Sequence, residues 1–274
     1  MNRKLRRAAK IKNKKARRKQ GSMTDSYPEA AQDFADAMRL HQAGQFEEAR
    51  VSYQRVLSIQ PDHSVALHHL GVIALQAGNS EEAVKYIGMA VKVQPTYAFA
   101  HNNLGNALKN TGRIEDAKPA YTTAISQKAD YAEAYYNRAI VWDEIGNSEA
   151  AQVDYKKAID LKAEYLDAKI GLGALLNKVG EHEESLAYFE QVLTIDAKNM
   201  AALNNRGNVL EELGRLDDAL ESYDLALKIS PTNADILVNK GNVLKDLRRI
   251  DEAFELYNKA VDVAPQSAKA HYNR

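Results

Sequence analysis

Asparagine side chains recur at short, regular spacings along this 274-residue chain and are its most informative polar groups. A carboxamide offers N–H donors and an acceptor oxygen, so it can pair with both the N–H and the C=O of a peptide backbone. Spacings of three or four residues place side chains on one face of a helix. The candidate residues are Asn102, Asn103, Asn106, Asn137, Asn204, Asn205, Asn208, Asn239, Asn242 and Asn273. This pattern predicts a polar track that binds an extended peptide through its backbone.

Residues that could support catalysis or metal binding are sparse. The chain has no Cys, which excludes disulfides, a thiolate nucleophile and a Cys-based zinc site. The Gly-Leu-Gly at 171–173 lacks the preceding strand of a phosphate-binding loop. His68 and His69 are adjacent and therefore make a poor metal pair on a helix, while His182 stands among glutamates and is interpreted as a solvated loop residue. We predict that this chain is not an enzyme and needs no cofactor or metal.

The elements that position these side chains follow from a repeat of 34 residues. With Ala30 as position 1, seven consecutive windows fill residues 30–267. Position 8 is Gly or Ala in every window, position 20 is Ala or Ser, and position 24 is Tyr or Phe in six of the seven. Position 15 is Gly in six windows, at Gly44, Gly78, Gly112, Gly146, Gly180 and Gly214. A fixed period of this length is typical of stacked repeat architectures.

Each window predicts a hairpin of two helices. Apolar residues at positions 7, 8 and 11, and then at 20, 24, 27 and 28, follow the helical period. Gly at position 15 ends the first helix because it readily adopts the left-handed conformation, and Pro at position 32 ends the second in four windows. Small residues at positions 8 and 20 predict a close approach of the two helices, with the ring at position 24 beside them. One hairpin cannot bury its own apolar face, so stability requires stacking of neighbours.

These positions resemble the tetratricopeptide repeat family over 238 of the 274 residues. The segment AHNNLGNALKNTGRIEDA, residues 100–117, carries the family's Leu-Gly at positions 7 and 8, Gly at 15 and Ala at 20. Among the departures, Arg138, Arg206 and Lys240 replace Leu at position 7, and Arg248 replaces Gly at position 15. The resemblance implies an all-α fold, a right-handed superhelical solenoid of antiparallel helix hairpins.

The expected organisation is a basic, disordered segment at 1–29, seven repeats, and the start of an eighth at 268–274. The repeats are assigned to residues 30–63, 64–97, 98–131, 132–165, 166–199, 200–233 and 234–267.

By this resemblance, the first helices line a concave groove through positions 2, 5, 6, 9 and 12, and the asparagines occupy positions 5, 6 and 9. The track is similar to the asparagine ladder in the repeat domain of O-linked N-acetylglucosamine transferases, with Gly171 as an interruption. Alternatively, Asn at position 6 belongs to the general repeat consensus and only bonds neighbouring helices. Asn is up to about 0.7 kcal/mol less favourable than Ala inside a helix, so its recurrence requires a reason under either interpretation.

The net charge of zero conceals an asymmetry between the first residues and the rest of the chain. Residues 1–20 hold 11 basic and no acidic side chains, which leaves 26 basic against 37 acidic residues in the remainder. This segment is too poor in apolar residues to fold alone. Four interpretations remain open: contact with nucleic acid, with an anionic membrane or with the acidic body, or a solvated segment without a specific partner.

The expected function is a protein–protein interaction scaffold that binds an extended peptide or a partner protein in the groove. An alternative is the substrate-recognition region of a larger glycosyltransferase-like enzyme whose catalytic domain follows residue 274. The eighth repeat stops before its second helix, which predicts either continuation of the chain or self-association through this uncapped end. No apolar run is long enough for a membrane helix and no secretory signal is evident, so we expect a cytoplasmic protein.

Overall fold

The computed structural model describes residues 27–273, and this range contains α-helices and no strand. Residues 1–26 of the predicted basic segment 1–29 lie outside the described residues, whereas Pro28 and Glu29 belong to the first helix. The chain divides into two compact units, with the boundary in the sequence between residues 129 and 130. None of the helices in the described range is long and apolar enough to cross a membrane.

The first unit consists of three helix hairpins. Its helices are α1 (Pro28–Gln42), α2 (Phe46–Ile59), α3 (Ser64–Gln76), α4 (Ser80–Val93), α5 (Ala98–Asn110) and α6 (Ile114–Gln127).

The second unit consists of four helix hairpins followed by a short helix. Its helices are α7 (Ala132–Glu144), α8 (Ser148–Leu161), α9 (Leu166–Lys178), α10 (His182–Ile195), α11 (Met200–Glu212), α12 (Leu216–Ile229), α13 (Ala234–Asp246), α14 (Ile250–Val263) and α15 (Ala268–Asn273). The predicted all-helical architecture in tandem pairs is therefore confirmed.

The turn inside each hairpin is built as the glycine spacing predicts. The six glycines at position 15 have φ between +71° and +87°, the left-handed region that glycine adopts without a steric penalty. The seventh turn places Arg248 in the same region, with φ of +62°. An L-residue pays a steric cost there, so this turn carries backbone strain.

The ends of the second helices also follow the sequence. Helices α2, α4, α12 and α14 end two residues before Pro61, Pro95, Pro231 and Pro265. Acidic residues occupy the first turn of each second helix, for example Glu47 and Glu48 in α2, where they interact favourably with the positive end of the helix dipole.

The two helices of a hairpin pack through position 8 of the first and position 24 of the second. Tyr121 and Tyr223 are fully buried. A Cβ added to Gly105 would lie 2.5 Å from Cε1 of Tyr121, and one added to Gly207 would lie 2.5 Å from Cε1 of Tyr223. Glycine is required at these positions because the aromatic ring occupies the space of a side chain.

Candidate functional site

The asparagine face of the second unit is formed by Asn204, Asn205 and Asn208 on α11 and by Asn239 and Asn242 on α13. All five side chains are half-buried. Nδ2 of Asn239 donates to Oδ1 of Asn204 over 3.1 Å and to Oδ1 of Asn208 over 3.2 Å. The position 6 amide of one repeat thus bonds positions 5 and 9 of the preceding repeat.

Tyrosine hydroxyls orient the position 9 amides of this face. Tyr223 donates to Oδ1 of Asn208 over 2.7 Å, and Tyr257 donates to Oδ1 of Asn242 over 2.9 Å. In each pair the ring belongs to position 24 of the same repeat, so one residue both fills the hairpin core and fixes an amide. The sequence pattern did not indicate this second role.

These bonds use the amide oxygens and leave amide donors uncommitted. Within the described range, Nδ2 of Asn204, Asn208 and Asn242 donates to no protein acceptor. The carboxamide of Asn205 has no protein partner at all in this range. The face therefore combines amides that connect neighbouring helices with amide groups that remain available to another molecule.

The asparagines of the first unit lie on α5. Tyr121 donates to Oδ1 of Asn106 over 2.7 Å, which repeats the pairing of the second unit. Asn102 is only 4% exposed, and its Nδ2 lies 3.5 Å from Oδ1 of Asn103. Nδ2 of Asn103 lies 2.9 Å from Nε2 of His68. The amide at position 6 thus bonds the preceding repeat here as well.

The remaining candidate asparagines are placed on separate helices of the second unit. Asn137 lies on α7 and Asn273 on α15, and both are half-buried. Gly171 on α9 interrupts the series between them, and a Cβ there would lie 2.7 Å from Cε1 of Tyr155. Gly171 is therefore small because an aromatic ring from the preceding repeat occupies the space.

A cluster of imidazole and phenol rings takes the place of asparagines in the first two repeats. His69 stacks on Tyr53, with ring centroids 5.4 Å apart and planes at 5°, and its centroid lies 5.1 Å from that of His41. His68 contacts Tyr97, whose hydroxyl lies 3.0 Å from Nδ1 of His68. Sequence reasoning treated the two adjacent histidines in isolation and missed this cluster, because His41 and Tyr53 are remote in sequence.

Burial keeps the imidazoles of this cluster neutral. It lowers the pKa of His68 to about 4, with further lowering by His69 and His41, and it lowers the pKa of His69 to about 4, with a contribution from His41. Nδ1 of both His41 and His69 is buried without a hydrogen-bond partner. Protonation would place like charges together in this cluster.

Acidic side chains act on the tyrosines of the second unit. The pKa of Tyr223 is raised first by burial and then by Glu211, whose carboxylate lies 3.4 Å from the hydroxyl. The pKa of Tyr165 is raised mainly by burial, and then by Glu133, Tyr136 and Asp167. No carboxylate contributes to the raised pKa of Tyr53 in the first unit, which reaches about 12 through burial and Tyr97.

The basic residues at position 7 have individual partners. Arg138 binds Asp154 through Nε and Nη2 over 2.7 and 2.8 Å, and Asp154 is only 3% exposed. Lys240 pairs with Asp224. Arg206 instead donates to Ser222 over 3.0 Å, and its Nε is buried without a hydrogen-bond partner. The Arg138 and Arg206 contacts are part-buried links within one repeat, whereas Lys240 and Asp224 form an exposed link between repeats seven and six.

The other polar residues singled out in the sequence have structural positions. The Gly-Leu-Gly at 171–173 lies inside α9. His182 is the first residue of α10 and is half-buried, and its Nδ1 lies 2.8 Å from Oδ1 of Asn177. The interpretation of His182 as a solvated loop residue was therefore wrong. Between residues 27 and 273, no group of three or more His, Cys, Asp or Glu side chains is placed to hold a metal ion.

Solved structures share this fold. YrrB, a tetratricopeptide protein with an unusual peptide-binding site, is 24% identical with a TM-score of 0.57, and the match covers 69% of this chain and 97% of YrrB. A tetratricopeptide repeat protein from Parabacteroides merdae is 17% identical with a TM-score of 0.68, covering 89% of this chain and 96% of that one. MamA is 27% identical with a TM-score of 0.55, covering 59% and 95% of the two chains.

Family models extend the comparison to the sequence. Comparison with curated proteins gives no match. Models described as tetratricopeptide repeat match residues 40–104, 102–165, 164–231 and 198–266. Together these matches span residues 40–266, well over half of the chain, and they agree with the helix hairpins of both units. The chain therefore belongs to the tetratricopeptide repeat family.

Proposed function

We propose that this protein is an interaction scaffold that binds an extended peptide along the asparagine face of its second unit. The observation that carries the proposal is the set of uncommitted amide groups on α11 and α13. Nδ2 of Asn208 and the whole carboxamide of Asn205 have no protein partner among the described residues, although both side chains are half-buried. Polar groups in such positions normally acquire a hydrogen-bond partner, which here would be a ligand or water.

The spacing of the face suits a peptide backbone. Packed helices lie about 8–10 Å apart, so equivalent amides of neighbouring repeats are separated by a similar distance. An extended chain rises about 3.3 Å per residue, so each repeat corresponds to about three residues of bound peptide. A regular row of amides can thus meet main-chain groups at regular intervals without reading side chains.

The relatives support the general class of partner. YrrB is a tetratricopeptide protein with a peptide-binding site, and the Cut9–Hcn1 complex shows another such fold joined to a protein partner. These likenesses support the fold, at 24% and 18% identity, and the asparagine contacts rest on the geometry of this chain. The similarity to the repeat domain of O-linked N-acetylglucosamine transferases remains a prediction from the asparagine pattern.

Replacement of Asn205 tests the proposal directly. Asn205→Ala removes an amide that has no internal bond, so the fold should be unaffected, while binding to an array of 15-residue peptides should fall about five- to tenfold for one lost hydrogen bond. Asn258→Ala on α14 removes a half-buried amide of a second helix and is the matched control. Equal peptide binding by the parent chain and by Asn205→Ala would contradict the proposal.

A further inference from the structure

The charged residues around the asparagine face differ between the two units. Positions 2 and 12 of the first helices lie three or four residues from the asparagine positions 5, 6 and 9. They are therefore on the same face of the helix. In repeats four to seven these positions hold Glu133, Asp143, Asp167, Glu211 and Asp235, with Lys245 as the one cation. In repeats one to three the same positions hold no acidic residue and one cation, Lys109. At positions 2 and 12, acidic residues therefore occur only in the second unit.

Glu211 lies beside the asparagine face, and other carboxylates of this unit act on its tyrosines. Glu211 and Asn208 both accept from the hydroxyl of Tyr223, over 3.4 and 2.7 Å. Asp143 and Glu144 contribute to the raised pKa of Tyr155 after burial and Tyr136. Asp167 contributes to the raised pKa of Tyr136 after burial. The tyrosines that line this unit thus experience a negative potential from the flanking acids.

Internal cations neutralise only part of this charge. Lys178 pairs with Asp143 over 2.7 Å, and Lys162 approaches Glu133 to 4.0 Å. Asp167 and Asp235 are exposed and form no ion pair within residues 27–273. Exposed carboxylates in a row attract positive charge over roughly one Debye length, about 8 Å at physiological ionic strength.

From this arrangement we infer that the peptide bound along α7, α9, α11 and α13 is an extended segment rich in lysine and arginine. The inference rests on the proposed function: the amides bind the backbone, and the acids at positions 2 and 12 select the side chains. Basic side chains on such a segment project several ångströms from the backbone, so they reach the flanking carboxylates while the backbone lies on the amides. The charge complementarity also sets the direction of selection, because an acidic segment would be repelled.

Three fluorescein-labelled 12-residue peptides test this inference by anisotropy with the full chain. They alternate serine with lysine, with glycine or with glutamate. The lysine peptide should bind at least tenfold more tightly than the glycine peptide, and this advantage should shrink as salt is raised. The glutamate peptide should bind less tightly than the glycine peptide.

A charge-matched pair of triple variants assigns the effect to the face. Asp167→Asn, Glu211→Gln and Asp235→Asn together should reduce the affinity of the lysine peptide about tenfold towards that of the glycine peptide, at about two- to threefold per charge. Glu221→Gln, Glu255→Gln and Asp262→Asn remove the same charge from exposed positions of the second helices and should change it less than twofold.

The outcomes separate this inference from the function on which it rests. Equal loss in the two triple variants would show binding through net charge and would overturn the inference. Equal affinity for all three peptides, or preference for glutamate, would overturn it as well. If the glycine peptide binds and Asn205→Ala weakens it while lysine adds nothing, the inference fails and the proposed function stands. If none of the three peptides binds, both fail.

Discussion

The ring of Tyr155 occupies the place of a side chain at Gly171, because a Cβ on Gly171 would lie 2.7 Å from Cε1 of that ring. In repeats six and seven the equivalent rings instead occupy the space over Gly207 and Gly241 at position 8 of their own repeats. Repeat four has Ala139 at this position, so its ring lies towards the next repeat. Because the ring of repeat four lies over position 6 of repeat five, that position is Gly171 and the asparagine series has a gap there.

The ring of repeat one also lies towards the next repeat, but there it contacts a histidine instead of a glycine. It has Ala37 at position 8, and its ring, Tyr53, stacks on His69 at position 6 of the next repeat, with 5.4 Å between ring centroids. The residue at position 8 thus determines what position 6 of the following repeat contacts.

Paired substitutions in repeats four and five test this relationship. Gly171→Asn should lower the free energy of unfolding by about 1–3 kcal/mol, because the new side chain overlaps the Tyr155 ring. Adding Ala139→Gly opens the space that the rings of repeats six and seven occupy, so the double variant should recover at least about 1 kcal/mol of this loss. Urea denaturation of the single and double variants measures the coupling, and strictly additive effects would show that the two sites are independent.

The strained turn at Arg248 gives a second prediction. Arg248→Gly should raise the free energy of unfolding by about 0.5–1 kcal/mol, since glycine adopts a φ of +62° without steric cost. Gly214→Ala places a side chain at the equivalent φ of +71° in the preceding hairpin and should lower stability by a similar amount. Thermal unfolding of both variants measures the effects, and a destabilised Arg248→Gly would contradict the assignment of strain.

Much of this fold could be predicted from the sequence because its determinants are local and repeated. The glycines at position 15 specify the turns, and the small residues at positions 8 and 20 specify the close packing of each hairpin. Contacts between repeats could not be predicted in the same way. The distinct environments of Gly171 and Asn205 depend on whether the ring of the preceding repeat lies over position 8 or position 6, and the helical period does not encode that choice.

The geometry of the candidate site could be predicted only in part from the sequence. The positions of the asparagines on the first helices follow from the period. The period does not show which amide groups bond neighbouring helices and which have no protein partner. Tyr223 and Asn208 are 15 residues apart, and this spacing recurs for Tyr121 with Asn106 and Tyr257 with Asn242. Pairing of positions 9 and 24 is a signal that sequence reasoning could have used.

The histidine cluster predicts a pH dependence of the first unit. An unfolded histidine has a pKa near 6.5, whereas burial lowers that of His68 and His69 to about 4 in the folded chain. The unfolded state therefore binds more protons between these values, and stability falls as the pH decreases from about 6.5 to about 4 and is constant with respect to these groups above that window.

The expected loss across this window is roughly 3 kcal/mol for the two groups together, after allowance for the solvent around half-buried His69. His69→Asn introduces the residue that other repeats carry at position 6 and should reduce this pH dependence. Circular dichroism during urea denaturation at pH 7 and pH 5 measures it. The same loss of stability in His69→Asn as in the parent chain would exclude His69 as a contributor.

The ion pair of repeat four predicts an unequal response of two equivalent sites. Asp154→Ser leaves the guanidinium of Arg138 without its buried carboxylate and should lower the free energy of unfolding by about 3 kcal/mol. Ser222→Ala, at the equivalent position of repeat six, removes one neutral partner of Arg206 and should cost about 1 kcal/mol. Equal losses in the two variants, measured by urea denaturation, would contradict the energetic difference between the pairs.

The side-chain N–H₂ resonances of the asparagines report most directly on whether amides of the second unit contact a bound peptide. Titration of the ¹⁵N-labelled full chain with the 12-residue serine–glycine peptide should shift the resonances of Asn204, Asn205 and Asn208. Those of Asn147 and Asn233, whose oxygens cap the starts of α8 and α13, should not move. An unshifted Asn205 resonance at saturating peptide would contradict the account.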